Sequence, residues 1–117
     1  VDRGNEVVSE LYQPTDPSIL QLLAQIGRAA QQAGKEASIC GEMAGDPLYT
    51  ELLVGLGFRR LSMSPSFIEP VKARIRRIDL AEATTFADRL LACRFANQVQ
   101  SLLETRIHDI LLTMTDL

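Results

Sequence analysis

Apolar residues recur at helical spacing through the first half of the chain, and each apolar stretch follows an aspartate and a proline. Aspartate is a favoured N-cap and proline fits the first helical position, so helices are predicted to begin at Asp16-Pro17 and at Asp46-Pro47. Gly34 is expected to end the first helix. The apolar stripe of this first helix consists of Ile19, Leu20, Leu22, Leu23, Ile26, Ala29, Ala30 and Ala33.

Two short apolar runs, residues 37–40 and 60–63, are predicted as strands. The first is bounded by glycines and is typical of a buried strand. Because a helix separates the two runs, we expect parallel β/α units. Two parallel strands do not form a stable sheet alone, since both faces and both edges need cover. The pattern therefore indicates an α/β fold made of the last β/α units of a (β/α)8 barrel, followed by C-terminal helices.

The chain from the turn at residues 64–66 onward carries the apolar stripes of three helices. The first tolerates Pro70 only within its first turn. Asp79 is predicted to cap the second, with Glu82 completing a capping box. The stripe of the third consists of Phe95, Val99, Leu102, Leu103, Ile107, Ile110, Leu111 and Met114.

A weak break at Ala96-Asn97 separates the last two stripes, so one long kinked helix is an alternative to the two packed helices that we favour. We expect residues 1–78 to belong to the barrel and residues 79–117 to form a helical extension. Residues 1–15 show no sustained period apart from one short helical turn at residues 6–11.

The composition and charge of the chain argue against some classes of function. The 117 residues are 46% hydrophobic but only 5% aromatic, so the core must be aliphatic. A net charge of -3 argues against nucleic acid as the main partner, and no apolar run is long enough to span a membrane. No secretory signal is visible in the sequence. The sequence begins with Val1 and not with Met, which suggests a piece of a longer protein. Cys40 and Cys93 are expected to be free thiols in a reducing compartment, the cytoplasm.

The segment Cys-Gly-Glu-Met-Ala-Gly-Asp-Pro at residues 40–47 carries the candidate chemistry. It places the thiol of Cys40 at the carboxyl end of a predicted strand, which is the catalytic face of a (β/α) barrel. A free thiol is mostly protonated at neutral pH, so it can donate a proton as well as act as a latent nucleophile. If position in the sequence is the only evidence, a cysteine of this kind is more often an inert structural residue than a catalytic one.

Five segments together resemble the C-terminal part of enzyme I of the bacterial phosphotransferase system, the phosphoenolpyruvate-protein phosphotransferases. They are Val-Asp-Arg-Gly-Asn at 1–5, Leu-Tyr-Gln-Pro at 11–14, the Cys-Gly-Glu segment at 40–47, Gly-Leu-Gly-Phe at 55–58 and Leu-Ser-Met-Ser-Pro at 61–65. The Cys-Gly-Glu motif alone is shared with pyruvate phosphate dikinase and phosphoenolpyruvate synthase. The run Arg-Arg-Ile-Asp-Leu-Ala-Glu-Ala that begins at Arg76 resembles the nitrogen-regulatory branch, and the choice between that branch and sugar transport stays open.

The resemblance implies a homodimeric, Mg²⁺-dependent enzyme that moves a phosphoryl group from phosphoenolpyruvate to its own histidine. From there the group passes to HPr or to the nitrogen-branch carrier, and pyruvate is released. Arg3 is implied to bind phosphoenolpyruvate, because a guanidinium grips phosphate or carboxylate with two hydrogen bonds. Cys40 is implied to protonate the enolpyruvate carbon. The histidine and the Mg²⁺ ligands are expected outside this chain, which should then be inactive alone.

For several other polar residues, a structural or solvent-facing role is a better explanation than a catalytic or metal-binding one. His108 is expected to face solvent, Glu42 to be a hydrogen-bonding acid of the loop, and Asp46 to be a helix cap. A solvated helix face is expected for the basic cluster Lys72, Arg74, Arg76 and Arg77. Two other interpretations stay open: a fragment of pyruvate phosphate dikinase or phosphoenolpyruvate synthase, and a helical oligomerisation module in which the thiol is incidental.

Overall fold

A computed structural model describes the backbone of residues 14–115 and the side chains through residue 112. Arg3 and the helical turn predicted at residues 6–11 lie outside this range. The elements follow in the order α1 (Pro17–Gln32), β1 (Ala37–Cys40), α2 (Pro47–Gly55), β2 (Phe58–Ser62), a 3-10 helix (Pro65–Phe67), α3 (Ile68–Ile75), α4 (Leu80–Leu91) and α5 (Ala96–Thr115).

The two strands pair in parallel, as predicted, and form a two-stranded sheet. Cys40 at the end of β1 lies opposite Ser62 at the end of β2, so both carboxyl ends meet at one edge. Burial follows the two-residue period of a strand, because Ala37 is buried while Ser38 and Cys40 are exposed. The expectation that residues 37–40 form a buried strand is therefore wrong for this chain. The described residues show a mostly helical α/β architecture, and the complete barrel stays a prediction.

Predicted caps form where the sequence places them. The carboxylates of Asp16 and Asp46 accept hydrogen bonds from the backbone N–H groups of Ser18 and Leu48, at 2.9 and 3.0 Å. Asp79 accepts from the Glu82 N–H at 3.0 Å. Each bond satisfies a donor that the first helical turn leaves free.

Some boundaries differ from the predicted ones. β2 begins at Phe58, two residues before the predicted start, and α3 ends at Ile75 instead of including Ile78. The two helices favoured for the tail are confirmed, but the break covers residues 92–95 and the second helix already begins at Ala96. The side chain of Gln98 fixes this start by accepting hydrogen bonds from the N–H groups of Arg94 and Phe95, at 2.9 and 3.1 Å.

One hydrophobic core, aliphatic except for Phe58 and Phe86, joins α1, α2, α4 and α5 to the sheet. Its buried members are Leu20, Leu23, Ala24, Ala37, Met43, Leu52, Leu53, Leu56, Phe58, Phe86, Ala87, Leu90, Val99 and Leu103. α1 crosses the end of α2 so closely that a Cβ built at Gly27 would overlap the carbonyl oxygen of Leu56. The helices of the tail thus share a core with the β/α units, and this packing holds the edge of the sheet that carries Cys40.

Candidate functional site

A cleft of about 760 Å³ opens at the carboxyl ends of both strands. One wall comes from the end of β1 and the loop after it, and the other from the end of β2 and the turn that leads into the 3-10 helix. Its lining includes Cys40, Glu42 and Asp46 on the first side and Ser62, Ser64 and Phe67 on the second. Ligands of parallel α/β sheets bind at this edge, since loops and helix starts converge there.

A second cleft of about 770 Å³ lies at the turn between α4 and α5, with Arg89 and Arg94 in its lining. Neither strand contributes to it, and Cys40 lies elsewhere. The cleft at the strand ends is therefore the candidate functional site.

Cys40 is the last residue of β1, as predicted, and it is exposed to solvent. The chain turns sharply after it, because Gly41 has a φ of 103°, which a residue with a side chain rarely adopts. The sharp turn keeps the backbone from continuing past the thiol. A small molecule in the cleft can therefore reach Sγ directly.

The loop after Cys40 folds back on itself and ends in the cap of α2. The N–H of Gly45 donates to the carbonyl oxygens of Gly41 and Glu42, at 3.3 and 3.2 Å. The Oδ1 atom of Asp46 accepts from the N–H of Leu48, which confirms that Asp46 caps the helix. The Glu42 side chain is exposed at the rim. The first wall is therefore held by backbone hydrogen bonds and one cap.

Tyr49 lies half-buried in the first turn of α2, beside this cap. Burial raises the pKa of its phenol, and the nearby Asp46 carboxylate raises it further. The phenol therefore stays neutral over the physiological range.

The described residues do not fit a Mg²⁺ site. Within residues 14–112, no group of three or more His, Cys, Asp or Glu side chains is placed to hold a metal ion. Of the two acids in the described lining of the cleft, Asp46 already accepts the cap hydrogen bond, which leaves Glu42 as the one described carboxylate there that caps no helix. Mg²⁺ normally requires several oxygen ligands in an octahedral arrangement.

A buried ion-pair network behind the cleft was not predicted from the sequence. Glu51 on α2 is almost fully buried and pairs with Arg74 of α3 and Arg106 of α5. The expectation of a solvated basic cluster is wrong for Arg74, whose side chain is only 7% exposed, while Lys72, Arg76 and Arg77 are exposed. The available signal was a lone acid among the apolar residues of α2, because a buried acid requires a cationic partner.

Burial lowers the pKa of Arg74, and the Glu51 carboxylate partly opposes that shift. Hydrogen bonds to Glu51 raise the pKa of Arg106. Both guanidiniums therefore remain charged at neutral pH.

His108, the remaining candidate, is exposed on α5, as expected. Across the helices that the structure describes, none is long and apolar enough to cross a membrane.

Residues 1–80 match the family described as "PEP-utilising enzyme, PEP-binding domain", where PEP is phosphoenolpyruvate. The matched region includes both walls of the cleft and ends at the start of α4.

Several curated proteins are similar over most of the chain. A multiphosphoryl transfer protein of Escherichia coli is 45% identical over 103 residues, which is 88% of this chain and 12% of that protein. The phosphoenolpyruvate-protein phosphotransferase of Haemophilus influenzae is 40% identical over 104 residues, or 89% of this chain and 18% of that protein. Its Bacillus subtilis counterpart is 41% identical over 98 residues, or 84% and 17%. The chain thus spans less than a fifth of the length of these relatives.

Proposed function

The chain belongs to the PEP-utilising enzymes through their PEP-binding domain, and from that membership we propose that it supplies the pyruvate-forming side of a phosphoenolpyruvate-protein phosphotransferase site. The observation that carries the proposal is the thiol of Cys40, which is exposed at the carboxyl end of β1 within a cleft of about 760 Å³. The names of the relatives support the reaction class.

Cys40 acts in this proposal as the acid that completes pyruvate. As the phosphoryl group leaves phosphoenolpyruvate for an acceptor histidine, the bond between phosphorus and the enol oxygen breaks and an enolate is left. The electron pair of the enolate takes the proton of the Cys40 Sγ–H, which forms a C–H bond at the methylene carbon. The thiolate then regains a proton from solvent. An exposed thiol in the lining of the cleft suits this step because a general acid must come within reach of the atom that it protonates.

Arg3 is the second residue in the proposal, and it lies outside the described residues. Its guanidinium binds the phosphate or the carboxylate of phosphoenolpyruvate through a pair of charge-assisted hydrogen bonds. Such a grip sets the affinity for the substrate. The proposed role of Cys40, in contrast, affects the step that follows phosphoryl departure.

The remaining parts of the reaction belong to the rest of the parent protein in this proposal. This chain spans only a small part of the length of its relatives, which supports a parent protein of several domains. In the proposal, those other domains supply the acceptor histidine, the Mg²⁺ ligands and the surface that binds HPr or the nitrogen-branch carrier. The 117-residue chain alone is then inactive. We further propose that the parent is a cytoplasmic homodimer and that this chain is part of its (β/α)8 barrel. The exposed apolar side chains of Leu22 and Ile26 on α1 support a contact surface there, with the rest of the barrel or with a second subunit.

Steady-state kinetics of the intact parent, with pyruvate release as the readout, test the two residue roles separately. Cys40→Ala should lower kcat by about 10²- to 10⁴-fold, the usual contribution of a positioned acid, and leave KM for phosphoenolpyruvate unchanged. Arg3→Lys should raise KM by about tenfold or more, because the charge remains while the two-pronged grip is lost. The opposite pattern in either variant would reassign that residue.

Cys93→Ala is the matched control, since it removes the other described thiol from the turn between α4 and α5, away from the cleft. It should keep the turnover of the parent. Near-normal pyruvate release by Cys40→Ala would show that the thiol is incidental and would favour the helical oligomerisation module.

A further inference from the structure

One buried carboxylate joins three helices. The side chain of Glu51 on α2 is only 3% exposed. Its Oε1 atom accepts hydrogen bonds from Arg74 Nη2 of α3 at 3.0 Å and from Arg106 Nε of α5 at 2.7 Å. Its Oε2 atom accepts from Arg106 Nη2 at 2.8 Å. Arg106 therefore grips the carboxylate with two bonds, and in the described contacts it is the donor to Oε2.

Two of these helices are the ones that begin at the walls of the cleft. α2 starts at its cap, Asp46, directly after the loop that forms the wall beside Cys40. α3 continues the 3-10 helix that ends at Phe67 on the opposite wall. The bond between Glu51 and Arg74 thus ties the helix behind one wall to the helix behind the other.

Arg106 adds the third helix from beyond the region that matches the family, which ends at residue 80. Its guanidinium also lies over the ring of Phe86 on α4, 5.7 Å from the ring centre. This contact and the two bonds to Glu51 hold the side chain in one orientation. Through the bonds between Arg106 and Glu51, α5 is connected to the helices behind the cleft.

The network is better suited to fixing geometry than to adding stability. Burying charges costs about as much free energy as their pairing returns, so buried ion pairs seldom stabilise a fold relative to apolar residues of equal size. A carboxylate that loses one partner in a buried site is, however, strongly destabilised. Glu51 therefore favours the one arrangement of α2, α3 and α5 in which both of its oxygens are bonded.

We propose that Glu51 is a positioning residue for the cleft at Cys40 and that Arg106 of the C-terminal helix holds it in place. Neither residue lines the cleft, and both act through the placement of α2 and α3. The proposal does not depend on the reaction proposed above, because it concerns the arrangement of the two walls.

Amide hydrogen exchange of the full 117-residue chain, followed by NMR, tests the proposal without any ligand. The informative amides are those of Tyr49, which donates to the Asp46 carbonyl at 3.0 Å, and Phe67, which donates to the Ser64 carbonyl at 3.0 Å. They report the first turn of α2 and the opposite wall, and the amides of α1 serve as the reference. Arg106→Gln should raise exchange at Tyr49 and Phe67 by about tenfold or more while α1 is unchanged.

Two further variants sharpen the result. Arg106→Lys keeps the charge but cannot form the two parallel hydrogen bonds of the guanidinium. The exchange rates at Tyr49 and Phe67 should therefore lie between those of the wild type and those of Arg106→Gln. Glu51→Gln keeps the side-chain shape, removes the charge, and should affect the same two amides. If Glu51→Gln fails to fold, Arg106→Gln still decides the question, because its side chain is 32% exposed and a polar replacement can reach water.

Arg60→Gln is the control, since it breaks the pair with Glu36, whose side chains are 72% and 60% exposed. It should leave the exchange at Tyr49 and Phe67 unchanged. A uniform increase over all amides in Arg106→Gln would show a merely structural role and overturn the proposal. Unchanged rates at Tyr49 and Phe67, or an equal effect of the control, would overturn it as well.

Discussion

Thr50 on α2 carries a hydroxyl that is fully buried and has no hydrogen-bond partner among the described groups. A buried polar group without a partner costs about 1–3 kcal/mol of desolvation free energy. Thr50→Val keeps the branched shape and removes the hydroxyl, so we expect the free energy of unfolding to rise by about 1 kcal/mol. Urea denaturation of the two chains measures the difference.

Thr50→Ser separates the hydroxyl from the methyl group at the same position. It keeps the buried oxygen and removes one buried carbon, so it should lower the free energy of unfolding by about 1 kcal/mol. A valine variant less stable than the wild type would show that the hydroxyl is satisfied in solution, for instance by a buried water.

The contrast between Asp46 and Arg74 shows what single residues reveal in a sequence. Asp46 could be predicted as a cap because its partner, the N–H of Leu48, lies two residues away and the following proline marks the helix start. The partner of Arg74 lies 23 residues away on another helix. Nothing local distinguishes Arg74 from its exposed neighbours Lys72 and Arg76, so its burial follows only from the packing of α2 against α3.

At the scale of the element, the cap of α1 makes stability depend on pH. Hydrogen bonds from the Ser18 hydroxyl and then from the Ser18 N–H lower the pKa of Asp16. A carboxyl whose pKa is lower in the folded state stabilises the fold above the unfolded pKa of about 3.9, and this contribution is lost as the pH falls through the folded value. Part of the loss of stability on acidification should therefore come from Asp16.

Asp16→Asn keeps an oxygen that can accept the cap bond but removes the titration. The difference in unfolding free energy between about pH 7 and about pH 3 should thus be smaller in this variant than in the wild type. Ser18→Ala should reduce it too, because Asp16 loses the hydroxyl donor that lowers its pKa most. Equal differences in all three chains would mean that the cap contributes nothing to the acid dependence.

Element boundaries were predictable where a local signal exists. Asp16, Asp46 and Asp79 mark three helix starts correctly, because each side chain bonds to the backbone two or three residues ahead. The start of β2 could not be predicted in this way, because Phe58 joins the strand by pairing with Ala37 of β1, which is distant in the sequence. The start of α5 had a signal that was overlooked, namely Gln98 three residues after Phe95.

At the scale of the molecule, the described part of the chain packs its β/α units and its last two helices around one core. Ala83, Phe86 and Leu90 of α4 are buried, and Val99 and Leu103 of α5 are buried with them. The division into residues 1–78 and 79–117 rests on the pattern of apolar stretches and helix caps in the sequence and stays a prediction. The candidate cleft could be placed from sequence because the carboxyl ends of parallel strands meet, whereas its connection to α5 through Glu51 could not.

If α5 completes the core, its buried face must carry a large share of the stability of the chain. Leu103 is 1% exposed, and Leu111 on the same helix is 53% exposed. Leu103→Ala should therefore lower the free energy of unfolding by about 2–5 kcal/mol, through lost burial and the cavity left behind. Leu111→Ala removes the same atoms from a solvated site and should change it by no more than about 0.5 kcal/mol. Urea denaturation followed by circular dichroism compares the two variants, and equal small effects would mean that α5 does not pack on the core in solution.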